Sequence, residues 1–586
     1  MQEEEILRIP YGITDFCYIR QKGFYYVDKT RFIRPLERDG NFVFMLRPRR
    51  FGKSLFLAML NCYYNVKYAD QFDTLFGDLD IGRHPTREHN TYQVMTFNFS
   101  GINSGPERVE ESFNEKVNVS LQRFAAEYAS SLPVGTLEKM NSMKKCDEAF
   151  NYLIAQAELS RMNIYVMIDE YDNFANTLMS MDECRYTSLT HGDGFFRLFF
   201  NIVKEATTGP DSPVKRIFIT GVTPLTLSDV TSGFNIGMNL SLEGRYNEMI
   251  GFTEQEVRDM LSYYRDATGS FHHSVDELIE VMKPWYDSNC FSSDALDRER
   301  MFNSDMTLYF LHRYLLREGK FPEQMIDMNV ATDYNKVASM IKYEKGFGEK
   351  SGIMQRILNE GQTVAEIVPE FNLLDLSQPE CLRSLLFYMG MLSYGKDEDG
   401  ELCLMVPNAV VRQQYYRYMT HVYQEQLSWR ADETTLTEYG RKMAKEGDGL
   451  PMLRYIASCL TADSSNRDFD PKAEAFVKGF MLAHLGGRNS YFCTSTEREA
   501  NHGYSDILME PMRDFRHCHL IELKYVEHRA ADAAVEQVRQ QAHLQVRQYV
   551  ADRGLQQRVA DKRWTLHCYC VVFRGWQMAV CEEISS

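Results

Sequence analysis

Two stretches of this chain set acidic, basic and hydroxyl side chains where phosphate chemistry could use them. In the first, Gly52-Lys53-Ser54 separates an apolar run, Phe42–Leu46, from a helical stretch that follows. A loop between a strand and a helix N-terminus aims backbone N–H groups and the positive end of the helix dipole at one point, which suits a triphosphate. Gly52 admits close backbone approach, Lys53 is placed to bridge β- and γ-phosphate oxygens, and Ser54 to ligate Mg²⁺. The candidate nucleotide loop is Arg50, Phe51, Gly52, Lys53, Ser54 and Leu55. Arg47 holds the place where GxxxxGK[ST] has its first glycine, a departure from that pattern. A metal at Ser54 needs a carboxylate partner, and the apolar run Ile164–Ile168 ends in two acids. Asp169 is expected to hold Mg²⁺ through water, and Glu170 to orient or deprotonate the attacking water. Thr220 closes a further run, Arg216–Thr220, where a γ-phosphate sensor would sit. A hydroxyl satisfied inside the sheet is the equal alternative there.

The second stretch lies near the C-terminus. Asp506 precedes an apolar strand segment, and His519-Leu-Ile-Glu522-Leu-Lys524 follows after turn-rich residues. Glu522 and Lys524 are two apart on a strand and so share a face. A hairpin would bring Asp506 and Glu522 to one divalent cation, as phosphodiester hydrolysis requires, with Lys524 positioning the water. Alone, Glu-x-Lys is a common surface pattern, and a binding-only relic is the alternative.

The elements around these residues read as α/β. Short apolar strands at Phe42–Leu46, Val94–Phe99, Ile164–Ile168 and Arg216–Thr220 suit a parallel sheet buried on both faces. Residues 1–252 form this first region. Helical periodicity dominates 253–345, where Thr253-Glu-Gln-Glu256 reads as a capped start. Residues 346–470 are a helical connector in which an apolar helix, a strand, a turn at Lys396–Gly400 and a second strand resemble a winged helix or hairpin. A new α/β unit fills 471–586: a helix over Lys472–Leu485, strands around Ser505–Met509 and His519–Lys524, a long helix over Ala530–Arg553, and a last strand over Thr565–Phe573.

The 586 residues exceed what one hydrophobic core serves. A formal charge of −17 argues against non-specific coating of nucleic acid, though not against a local basic groove. The acidic start lacks the marks of a signal peptide, no apolar run is long enough to span a bilayer, and the thirteen cysteines form no CxxC pair. A reduced cytoplasmic setting, no membrane and no zinc template are the default expectations.

Several strings carry a resemblance. Ile9-Pro-Tyr-Gly-Ile13, Tyr26-Val-Asp28-Lys29-Thr30, Arg47-Pro-Arg-Arg-Phe-Gly-Lys-Ser54, Ile168-Asp169-Glu170-Tyr-Asp172 and Thr220-Gly-Val-Thr-Pro224 resemble the bacterial AAA-ATPase-like family. Gly251-Phe-Thr-Glu254 and Trp285-Tyr-Asp287 resemble its later landmarks, with Asn289-Cys-Phe291 replacing a glycine–aromatic step. In that family such a domain is commonly followed by a PD-(D/E)xK nuclease-superfamily domain, whose core resembles Asp506, Glu522 and Lys524 here. The resemblance implies an AAA-like P-loop sheet, a helical and winged-helix-like middle, and a restriction-endonuclease-like C-terminal domain. It also implies Glu474 as an added metal-side acid and Gln537 as a helix glutamine. ATP, Mg²⁺ or Mn²⁺, and nucleic acid, DNA foremost, are the implied ligands; a homo-oligomer is left open. The activity implied is a P-loop ATPase coupled to a metal-dependent nuclease. The rival is a nucleotide-switched binding or signalling protein whose last domain only docks a partner.

Overall fold

The computed structural model describes residues 6–584 except 103–107, 174–193, 226–236, 328–348, 373, 398, 427–430, 463–472, 488–490, 497–506 and 513–514. No helix among the described residues is long and apolar enough to cross a membrane. The chain gathers into two compact units. One holds residues 1–322, 339–343 and 364–407; the other holds 323–338, 344–363 and 408–586. Within the segment 346–470, residues 364–407 gather with the first unit and the rest with the second.

The first unit is built on a five-stranded sheet of order β2-β3-β4-β1-β5. Its strands are β1 (Phe42–Leu46), β2 (Gln93–Asn98), β3 (Ile164–Asp169), β4 (Val214–Gly221) and the short β5 (Met238–Asn239). Every pairing is parallel. Parallel strands with helices on their faces are buried on both sides, which is why β1 and all of β3 up to Asp169 run apolar, while the edge strand β2 exposes Thr96 and Asn98. Helix α1 (Lys53–Tyr64) leaves β1 and buries Phe56, Met59, Leu60 and Tyr63 in the core. Ligands of such sheets bind beyond the carboxyl ends of the strands, and Leu46, Asp169 and Gly221 all end strands there.

Beyond the sheet, helix α2 (Glu254–Thr268) starts with a reciprocal capping box between Thr253 and Glu256. Glu256 also receives Lys29 Nζ at 2.6 Å, and Lys29 donates to the Glu248 carbonyl at 2.9 Å. Asp28 accepts from the backbone and hydroxyl of Thr30. The Asp28-Lys29-Thr30 string and Thr253 to Glu256 are therefore two halves of one buried clasp. A helix over Pro379–Tyr388 leads into a hairpin of Ser393–Lys396 with Leu402–Met405, the order of helix, strand, turn and strand read from the sequence.

The second unit carries a mixed sheet of order β10-β9-β8-β7-β6: β6 (Phe492–Ser495), β7 (Ile507–Pro511), β8 (His517–Val526), β9 (Thr565–Arg574) and β10 (Gln577–Ile584). β7 and β8 pair antiparallel, and β8 and β9 parallel. The parallel pair needs a crossover, which is supplied by α3 (Asp532–Val550) and a second helix, Arg553–Asp561, whose N-terminus Asp552 caps. Val535, Ala542, Val546 and Tyr549 of α3 pack on Cys518, Leu520, Cys568 and Val572, so the even-numbered residues of β8 face this helix. β6 and β10 were not anticipated from sequence; β10 is an edge strand of mostly half-exposed, mixed residues.

Candidate functional sites

The loop after β1 is held by partners far away in sequence. Arg47, fully buried, donates to the carbonyls of Leu46, Ser241 and Tyr246 and lies 4.4 Å from the Phe291 ring. The residue in place of the pattern's first glycine is a strut. Phe291, from the Asn289-Cys-Phe291 string, supplies the aromatic face on which it rests. Further along, the Arg50 carbonyl accepts from the Asp305 backbone and Ser304 hydroxyl, and the Phe51 carbonyl accepts from Gly251 N at 3.0 Å. Arg50 and Gly52 both take left-handed backbone angles, φ 69 and φ 100. At Gly52 that angle opens helix α1, and it is one that side chains with a Cβ rarely adopt.

Lys53 is buried and its Nζ donates to the Arg47 and Pro48 carbonyls, each at 2.9 Å. The ammonium is thus curled under its own loop, and burial lowers its pKa to about 8 against the pull of Asp169, Asp172 and Glu170. Ser54 Oγ donates to Asp169 Oδ2 at 2.7 Å. The expected pair therefore meets although β4 lies between β1 and β3. Burial raises the pKa of Asp169, with the Ser54 hydrogen bond opposing. Glu170 follows at φ 52, its pKa raised by burial and then by Asp169. Leu55 is half-buried in the first turn of α1.

Thr220, at the end of β4, is fully buried, and its hydroxyl donates to the Met45 carbonyl at 2.8 Å. The anchor of this corner is a residue to which sequence alone gave no role. Asp172 accepts from the backbones of Val222 and Thr223 and from the Thr223 hydroxyl. A Cβ at Gly221 would fall 2.5 Å from Asp172 and from the Tyr171 ring, so the string Thr220-Gly-Val-Thr223 is shaped by close approach.

In the second unit Glu522 is 1% exposed on β8, and Lys524 Nζ lies 2.7 Å from its Oε1. The two share the face turned toward α3, as strand alternation requires. Asp506 lies outside the described residues. Glu474 is exposed in the first turn of the helix Ala473–Gly486, and Gln537 is exposed on α3; both stand on the elements anticipated for them.

Residues 10–231 match the family model described as "Predicted AAA-ATPase", and residues 472–583 match that of the PD-(D/E)XK nuclease superfamily. The chain joins an AAA-ATPase-like region to a nuclease-superfamily region. It is also 28% identical over 264 residues to a protein of Azotobacter chroococcum mcd 1 described as an uncharacterized protein in the vnfD 5' region. The match covers 43% of this chain and 44% of that one, so it spans less than half of the relative's length. The AAA-like match contains Lys53, Ser54, Asp169 and Glu170; the nuclease match contains Glu474, Asp506, Glu522, Lys524 and Gln537.

Proposed function

We propose that the chain binds and hydrolyses ATP at its first site and cleaves nucleic-acid phosphodiesters, DNA foremost, at its second. The observation that carries this most is the Ser54–Asp169 hydrogen bond of 2.7 Å, which joins a P-loop hydroxyl to a strand-end carboxylate 115 residues away. Two hard oxygen donors so placed fit Mg²⁺ that keeps part of its water shell. At the second site the buried Glu522 carboxylate and Asp506 are the oxygen donors for Mg²⁺ or Mn²⁺, with Glu474 as an outer acid. Asp506 directly precedes Ile507, which pairs with Ile521, the neighbour of Glu522. A divalent cation, when bound, supplies the charge that polarises a phosphoryl oxygen and acidifies water.

The chain's own groups do the rest. The loop 50–55 presents N–H groups to the phosphates, and Lys53 exchanges its two carbonyl partners for phosphate oxygens. Glu170 orients the attacking water. Lys524 holds the nucleolytic water and offsets charge on the phosphate.

The test is a divalent-metal titration with single- and double-stranded DNA and RNA, with and without ATP, beside a measurement of ATP turnover. Metal-dependent cleavage that disappears in Glu522→Ala supports the reading. A wild-type protein that turns over ATP yet cleaves nothing and binds no metal at the second site favours the nucleotide-switched binding protein instead.

A further inference from the structure

The face of the second sheet that carries Glu522 holds another set of donors, none of which belongs to the nuclease pattern. Strand pairing sets Glu522 beside Cys570 on β9 and Cys570 beside Glu582 on β10. Paired residues project to the same face, so the three stand in a row across the sheet. From α3, His543 reaches down to this row: its Nε2 is 2.7 Å from Glu582 Oε1. The ligand atoms of His543, Cys570 and Glu582 all lie within 4.8 Å of one another. Cys570 is fully buried, while the other two are partly exposed.

We propose that His543, Cys570 and Glu582 form a binding site for a borderline-soft divalent cation such as Zn²⁺, separate from the Mg²⁺-type site at Glu522. The donor set decides the class of ion. Imidazole nitrogen, thiolate sulfur and one carboxylate oxygen suit zinc-like metals, whereas Mg²⁺ takes oxygens alone. The spacing agrees. With bonds of about 2.0–2.1 Å to nitrogen and oxygen and about 2.3 Å to sulfur, tetrahedral ligand atoms stand roughly 3.3–3.6 Å apart. The contact of 2.7 Å must open by about 0.6 Å, and any separation near 4.8 Å must close by about 1.2–1.5 Å.

Arg539 already takes part. Its Nε donates to Glu582 Oε1 at 2.6 Å and its Nη2 to Oε2 at 2.8 Å. A cation at Oε1 replaces the Nε bond and the proton shared with His543, while the Oε2 bond goes on orienting the carboxylate, a role outer partners of metal ligands commonly fill. The Cys570 thiol gives up its proton to solvent as the metal–sulfur bond forms. Burial and the nearby Glu582 and Glu522 carboxylates oppose that ionisation in the metal-free protein, and a dication cancels this opposition. Three protein ligands leave a fourth position open to water.

The probe is Co²⁺ added to the metal-free full-length protein, read by its visible bands and its thiolate-to-cobalt charge-transfer band. One equivalent should bind with the charge-transfer band present, and Zn²⁺ should displace it. Cys570→Ser should lose the band, and His543→Ala, at a half-buried helix position, should weaken binding by about tenfold or more. Glu522→Gln should keep the band, which separates this site from the nuclease reading: loss of cleavage with retained charge transfer supports two sites. Absence of the band in a wild-type protein of native circular dichroism overturns the proposal. So does a band that survives in both Cys570→Ser and His543→Ala.

Discussion

The two sites hold their charged groups in opposite ways. Around the P-loop, charge is buried against backbone carbonyls and residues from distant segments: Lys53 on Arg47 and Pro48, Arg47 on Ser241 and Tyr246, Ser54 on Asp169. In the second unit, Glu522 and Lys524 oppose each other within one strand. The first arrangement is pre-shaped yet occupied by its own protein partners, so a ligand must exchange them. In the second, strand alternation sets both groups on one face, and removing Lys524 takes an ion-pair partner from a Glu522 carboxylate that is poorly solvated. The first arrangement responds to changes far along the chain, and the Glu522–Lys524 pair to changes on its own strand.

The sharpest test of this difference is Glu522→Ala. It should cut metal-dependent cleavage on the order of a thousandfold or more, since the groups of such a site act as a unit. ATP turnover should stay within about twofold, as the groups proposed for the two reactions belong to different units. Asp506→Ala and Lys524→Ala should match it in cleavage; Lys524→Ala should retain metal binding by calorimetry. Cleavage surviving in Glu522→Ala would move the hydrolytic site elsewhere.

Next in size is the P-loop. Lys53→Ala should weaken ATP binding by roughly a hundredfold, the usual cost of removing one partner from a buried charge-assisted contact. Glu170→Gln should leave ATP affinity nearly unchanged while turnover falls by about a hundredfold, within the range of a lost general base. Wild-type affinity in the first variant, or unchanged turnover in the second, would make these ordinary loop and strand-end residues.

How much of this could be read from the residues follows the same division. The strands read at Phe42–Leu46, Ile164–Ile168 and around His519–Lys524 were legible because a strand buried on both faces, or alternating across them, writes its pattern locally. The Thr253 and Glu256 capping box is local too. Arg47 was opaque, since its partners Ser241 and Tyr246 lie 194 and 199 residues away. Asp172 had no role assigned because the amides it holds belong to another strand's exit. Thr220 shows the converse: a strand-end hydroxyl is ambiguous until its neighbour, here Met45 on β1, is known. The His543, Cys570 and Glu582 group was invisible because three elements supply one donor each, with no short spacing between them.

The smallest effect expected distinguishes the units by their response to acid. In the second unit, burial and then the nearby His567 lower the pKa of His519 to about 3, from 6.5 in the open. As pH falls below about 6.5 the unfolded chain takes up a proton that the native chain refuses, so the native state loses stability until about pH 3. In the first unit, burial raises the Asp287 pKa from 3.8 to about 6. There the native chain takes the proton first, so acid between about pH 6 and 4 favours the native state. Each contribution is on the order of 1 kcal/mol per pH unit inside its window. Amide exchange followed from pH 7 to 5, corrected for intrinsic rates, should show β8 and β9 losing protection while β1 and β4 hold or gain it. His519→Gln, which keeps a donor for the Met443 carbonyl now 3.1 Å from the ring, should flatten the loss in β8 and β9. Parallel loss of protection in both sheets would mean that the two units unfold as one and that neither buried group governs its own.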